Sequence, residues 1–171
     1  MVTNSRVTVF FFFEQPTQYP TKYCPSFVVG YEACNSSLVD LLYIMDSSNS
    51  ITPQEFDDFK EVVARRFEES MPEGARVALM QYSDQILIPL NFDDGSTNAE
   101  IAKEIRDMQL IGGATYTRRA IETGWDEVWE PSLPNNRTRI TFLVTDGQPS
   151  LGQDPCDPYS LTNYDDSGKF F

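Results

Sequence analysis

One stretch constrains this chain more than any other. Val39-Asp40-Leu41-Leu42-Tyr43-Ile44-Met45 is an almost unbroken apolar run with polar residues on both sides. It is far shorter than the ~20 residues a membrane span needs. It suits a parallel strand buried on both faces, and such a strand requires neighbouring strands and covering helices. Directly after it comes Asp46-Ser47-Ser48-Asn49-Ser50, a polar loop in which one aspartate and two serines alternate.

The segments that follow supply those neighbours. Thr52 caps a helix with Pro53 at its first position and Glu55 completing a capping box. Phe56, Phe59, Val62, Val63 and Phe67 then fall on one helical face, and the helix is predicted to end before Met71-Pro72-Glu73-Gly74. Arg76 to Tyr82 and Ile86 to Leu90 read as strands, joined as a hairpin through Ser83-Asp84-Gln85. A second capping box, Thr97 with Glu100, opens a helix through Ile101, Ile105 and Met108. A glycine-containing loop, Leu110-Ile111-Gly112-Gly113-Ala114-Thr115, leads to a third helix from about Thr117 to Trp129. That helix turns Ala120, Ile121, Trp125 and either Val128 or Trp129 inward. Arg139 to Thr145 is a further strand ending in Asp146-Gly147.

Alternating strands and helices predict an α/β fold. The sheet is open and mostly parallel, with one antiparallel edge strand and helices on both faces. The strand ending at Asp146 is left at an unprotected edge. Met1 to Phe13 reads as a strand fragment or the remnant of a longer precursor. Pro16 to Pro25 reads as a linker, and beyond Ser150 neither strand nor helix is predicted. The expected organisation is an extension or linker over 1–36, a domain over 37–151 and an irregular tail over 152–171.

Composition narrows the chemistry. The formal charge is −13, from 13 Lys and Arg against 26 Asp and Glu, and there is no histidine. An acidic chain is a poor partner for nucleic acid. Without histidine there is no His-based zinc site and no Ser-His or Cys-His catalysis. Carboxylate chemistry or hard-cation binding through oxygen remains. Asp46, Ser48 and Ser50 follow one buried strand, Asp146 follows another, and Thr115 sits in the glycine loop. If the two strands are neighbours, these five side chains converge at the strand ends, where open α/β sheets bind ligands. Two carboxylates and three hydroxyls suit Mg2+ or Mn2+. Each residue alone is explained as a cap or turn; two aspartates that each end a buried strand, with serines alternating after one, are not.

At these residues the chain resembles the von Willebrand factor type A domain, the fold of the integrin inserted domain. Val39 to Ile51 looks like that family's first strand and metal loop, and Arg76 to Asp84 like its second strand. Gly112-Gly113-Ala114-Thr115-Tyr116-Thr117 looks like its threonine loop, and Thr141 to Gly147 like its fourth strand. The likeness runs from Val39 to about Ser150, and Asn49 departs from the glycine often found there. It implies a Rossmann-like fold lacking its last strands in a C-terminally truncated chain, since about 20 residues remain after Ser150. It also implies a metal-ion-dependent adhesion site. Ser48, Ser50 and Thr115 would coordinate Mg2+ or Mn2+ directly, Asp46 and Asp146 directly or through water, and an Asp or Glu of a protein partner would complete the shell. Asn49, Gly113, Tyr116 and Gln148 would form the partner-binding face.

The expected function is a cation-dependent protein-binding or adhesion module, extracellular or at the cell surface within a longer protein, and not an enzyme. The alternatives are an assembly module with an unused metal site, or a metal-dependent phosphohydrolase with Asp46 as nucleophile. The latter would want a second carboxylate beside Asp46 and a phosphate-gripping lysine. Cys24, Cys34 and Cys156 are either buried thiols or one bridge plus a partner outside the chain. Asn35-Ser36-Ser37 and Asn136-Arg137-Thr138 are glycosylation sequons, both placed at the sheet end opposite the metal loop.

Overall fold

The computed structural model describes residues 8–14 (as backbone), 39–71, 74–92, 94–132, 137–146 and 149–154. Five strands and three α-helices follow in the order β1 (Thr8–Glu14), β2 (Val39–Asp46), α1 (Pro53–Ser70), β3 (Arg76–Tyr82), β4 (Ile86–Leu90), α2 (Asn98–Asp107), α3 (Thr117–Thr123) and β5 (Thr138–Thr145). The sheet order is β1-β5-β2-β3-β4. β2 lies at the centre, parallel to both β3 and β5, and every one of its residues is buried. The doubly buried strand expected from its apolar run is therefore observed.

β4 is antiparallel to β3 and forms one edge. At the other edge the structure corrects the sequence reading. β5 is not left open, because β1 runs antiparallel along it from Thr8 opposite Thr145 to Glu14 opposite Arg139. Part of the expected extension over 1–36 is thus a strand, and the sheet has a second antiparallel edge. A run of valine and phenylalanine has high strand preference, and the unpaired backbone of β5 offers it a template.

Two apolar layers hold the helices. On one face Leu41, Tyr43, Met45, Val77 and Leu79 pack against Phe56, Val63 and Phe67 of α1 and against Ile101 and Ile105 of α2. Tyr43 stacks on Phe142 with ring centroids 4.5 Å apart. On the other face Leu42, Ile44, Ala78, Met80 and Leu143 meet Ala120, Val128 and Trp129. Both expected capping boxes form: the threonine hydroxyl accepts the N3 amide and the N3 glutamate accepts the cap amide, in α1 (Thr52, Glu55) and in α2 (Thr97, Glu100). No helix among the described residues is long and apolar enough to cross a membrane.

Two helical readings need correction. Val62 does not face the core; it is 69% exposed. At about 100° per residue it lies about 120° around α1 from Phe56, off the stripe of Phe56, Val63 and Phe67. The third helix is not uniform either. α3 stops at Thr123 and the chain continues as a π-helical turn over Gly124–Trp129 and a 3-10 turn over Glu130–Ser132. Both Val128 and Trp129 are buried in this π turn. Gly124 permits it: a Cβ there would come within 3.2 Å of both Ile44 Cδ1 and Leu42 Cδ2.

At the start of β2, Asp40 is fully buried. Burial alone would raise its pKa, but the guanidiniums of Arg76 and Arg137, which hydrogen-bond its two oxygens, outweigh that and hold it below the usual carboxylate value. Arg137 also donates to the carbonyls of Val39 and Gly74, tying strand starts together.

Candidate functional site

The opposite end of the sheet carries the residues singled out in the sequence. β2 and β5 are neighbours, so Asp46 and Asp146 follow adjacent strand ends. Asp46 is buried and accepts three hydrogen bonds. The Ser48 amide donates to Oδ1 at 2.9 Å, and Oδ2 accepts from the hydroxyls of Thr145 at 2.7 Å and Tyr82 at 3.3 Å. Burial, and then the negative charge of Asp46, push the Tyr82 phenol above its ordinary pKa, so it remains a donor. Asp146, half-buried, directly follows Thr145, and the two strand ends are linked there.

The three predicted hydroxyls come together. Thr115 Oγ1 donates to Ser48 Oγ at 2.8 Å, and Ser48 Oγ lies 2.8 Å from Ser50 Oγ. Ser48 and Thr115 are buried, and Ser50 is exposed. Two oxygens in adjacent corners of a magnesium octahedron, each about 2.0–2.1 Å from the ion, stand about 2.9 Å apart. The hydroxyls now hydrogen-bond to one another at the ordinary O–H···O length, close to that edge, so oxygen donors at this spacing are compatible with a small hard cation. Among the described residues no three His, Cys, Asp or Glu gather as a metal-holding group.

Loop contacts hold these groups in place. The Asn49 amide donates to the Gly113 carbonyl at 3.0 Å, and the Gly112 amide to the Ser47 carbonyl at 2.8 Å. Gly113 has φ +93°, and a Cβ on it would lie 2.3 Å from Asp84 Oδ1, so any other residue there would be strained. Asn49 is exposed and Tyr116, the residue before α3, is half-buried, with its amide on the Ser83 carbonyl. The remaining predicted residues, Gln148, Asn35, Asn136, Cys24, Cys34 and Cys156, lie outside the described residues.

Several contributors were not anticipated. Ser150 brackets Thr115: its hydroxyl accepts the Thr115 amide and its amide donates to the Thr115 carbonyl, both at 2.9 Å. Gln153 caps α3 from outside, its carbonyl accepting the Arg118 amide and its side chain the Arg119 amide. Tyr82 and Thr145 hold Asp46. The only sequence signal for these roles is a polar residue in an apolar strand, as at Tyr82 and Thr145; nothing local marks Ser150 or Gln153.

This fold, with its hydroxyl cluster at the parallel strand ends, defines a class. The chain belongs to the von Willebrand factor type A domain family, whose model matches residues 40–163. Human matrilin-3 is 29% identical over 129 residues, which cover 70% of this chain and 26% of matrilin-3. The human collagen alpha-1(VI) chain is 29% identical over 135 residues, 71% of this chain and 12% of the collagen. Among solved structures, proximal thread matrix protein 1 from the mussel byssus aligns with a TM-score of 0.48 at 22% identity, over 53% of this chain and 25% of that one. The chain spans about a quarter or less of the relatives it matches. Those relatives are matrix proteins, and mouse integrin alpha-M, 26% identical over 117 residues (67% of this chain, 10% of the integrin), adds a cell-surface one; none is an enzyme.

Proposed function

We propose that this chain is a divalent-cation-dependent protein-binding module of the adhesion type. The observation that carries this reading is the line of three hydroxyl oxygens, Thr115, Ser48 and Ser50, drawn from two loops to 2.8 Å spacings above the buried Asp46. Ser48, Ser50 and Thr115 would hold Mg2+ (or Mn2+), with Asp46 and Asp146 beside or beneath them. Bound there, the ion would supply an electron-poor position that attracts a carboxylate of a partner protein. Neutral hydroxyls leave more of the ion's charge available than carboxylates would. Asn49, Gly113, Tyr116 and Gln148 would surround that position and select the partner. The likeness to matrix and cell-surface proteins supports an extracellular setting within a longer protein.

The hydrolase alternative is weaker. Asp46 is buried and both its oxygens already accept protein donors, and no lysine among the described residues forms an ion pair with it to grip a phosphate. Titration calorimetry with Mg2+ tests the main reading. One site is expected in the wild type, reversed by chelator and strongly weakened in Asp146→Ala. A wild type that neither binds Mg2+ nor gains thermal stability from it would end the proposal.

A further inference from the structure

The last two residues of β3 contribute no predicted ligand, yet both reach the loops. Tyr82 holds Asp46 on the α3 face. Gln81 lies on the other face, fully enclosed in line with the apolar Val77 and Leu79. A buried carboxamide in such a row requires partners. Its Nε2 donates to Ser47 Oγ at 2.7 Å and to the Gln109 carbonyl at 2.5 Å. Ser47 belongs to the loop that carries Ser48 and Ser50. Gln109 starts the loop that carries Thr115. Ser47 Oγ also accepts the Ile111 amide at 2.7 Å, and the Ser47 carbonyl accepts the Gly112 amide. One side chain on a third strand therefore ties both loops at a shared point.

We infer that Gln81 is a positioning residue: its carboxamide braces the serine loop against the threonine loop and sets the gap between Ser48 and Thr115 before any cation enters. The inference rests on the proposed reading of the site as a cation site. Its consequence is selectivity. Mg2+ demands near-ideal octahedral geometry at about 2.0–2.1 Å, whereas Ca2+ takes looser shells at about 2.3–2.6 Å. A gap held by Gln81 suits the smaller ion; without the brace the loops can part to admit the larger one.

The test uses Gln81→Met, which keeps volume and removes both donors, with Mg2+ and Ca2+ titrated separately into the full chain. Mg2+ affinity is expected to fall by about 10–100-fold, the range for residues that orient metal ligands, while the ratio of Mg2+ to Ca2+ affinity drops and the circular dichroism spectrum stays unchanged. Amide exchange at Ile111 and Gly112 should quicken without a matching change in α1. Ser47→Ala cuts the same brace and serves alone if Gln81→Met does not fold. The double variant should bind no more weakly than the weaker single one. Mg2+ affinity within twofold of wild type, an unchanged Mg2+/Ca2+ ratio, or additive losses would each overturn the positioning role while leaving the cation site standing. A wild type that binds no Mg2+ would instead overturn the site reading, and the inference with it.

Discussion

Asp40 and Asp46 open and close the same strand face of β2, six residues apart, and both are buried. Their surroundings differ completely. Asp40 meets two guanidiniums, Arg76 and Arg137. Asp46 meets one amide and two hydroxyls, and no lysine or arginine forms an ion pair with it among the described residues. One end of the strand has its charge neutralised by the chain itself. The other has its charge solvated by neutral dipoles, which orient the carboxylate but do not cancel it. An uncompensated buried carboxylate raises the local affinity for a cation. The first aspartate is therefore a fastening, and the second has the surroundings the proposed cation site requires.

That contrast can be broken experimentally. The largest effect is expected at the fastened end. Asp40→Ala strands two arginines and should cost about 3–5 kcal/mol in urea denaturation, with Mg2+ affinity of the folded fraction unchanged. A loss below about 1 kcal/mol would erase the distinction. The same end sets an acid limit. Because the folded pKa of Asp40 lies below its unfolded value of 3.8, its stabilisation is complete above that value and disappears as pH falls through the lower, folded pKa. Stability profiles of wild type and Asp40→Asn should therefore converge only below about pH 3.8; parallel curves down to the most acid point would refute it.

At the Asp46 end the order reverses. Asp46→Asn breaks no ion pair but turns an amide NH2 toward protein donors, so metal-free stability should fall by about 1–3 kcal/mol, yet stabilisation by Mg2+ should vanish. In the wild type that stabilisation should reach about 2.7 kcal/mol at a hundredfold excess over Kd. Retention of it in Asp46→Asn would mean the cation sits elsewhere. The smallest effect belongs to Tyr82→Phe. Its hydrogen bond to Asp46 is long at 3.3 Å, against 2.7 Å from Thr145. Thermal denaturation should give a loss of under about 1 kcal/mol for Tyr82→Phe and more for Thr145→Val. Equal losses would show that distance is a poor guide in this pocket.

Local features were legible in the sequence. A capping box is written within four residues, and both boxes form where the spacing placed them. The apolar run of β2 announced its own burial, and the alternating serines announced a polar loop. Taking β2 and β5 as neighbours put Asp46 and Asp146 at adjacent strand ends; the contacts that bring Thr115 to Ser48 run through loops and were not legible. What was hidden depends on distant pairing. Gln81 looks like any polar residue at a strand end until the register sets it beside Met45 and below Ser47. Ser150 and Gln153 act only because the chain after β5 returns to α3. The π turn, which begins at Gly124 packed closely on β2, is a change of helical geometry that no 3.6-residue periodicity records. Val62 was misplaced because an apolar residue does not by itself say which side of a helix it occupies.

The pairing of β1 with β5 has a consequence for how the chain comes together. Thr8 is opposite Thr145, so nearly the whole described chain must be synthesised before the earliest strand can find its neighbour. Until then a phenylalanine-rich segment waits without its partner, and β5, on emerging, offers its bare flank to whichever strand arrives first. Closing so long a loop is slow. The step most exposed to mispairing with another molecule is thus the long-range one, when β1 meets β5.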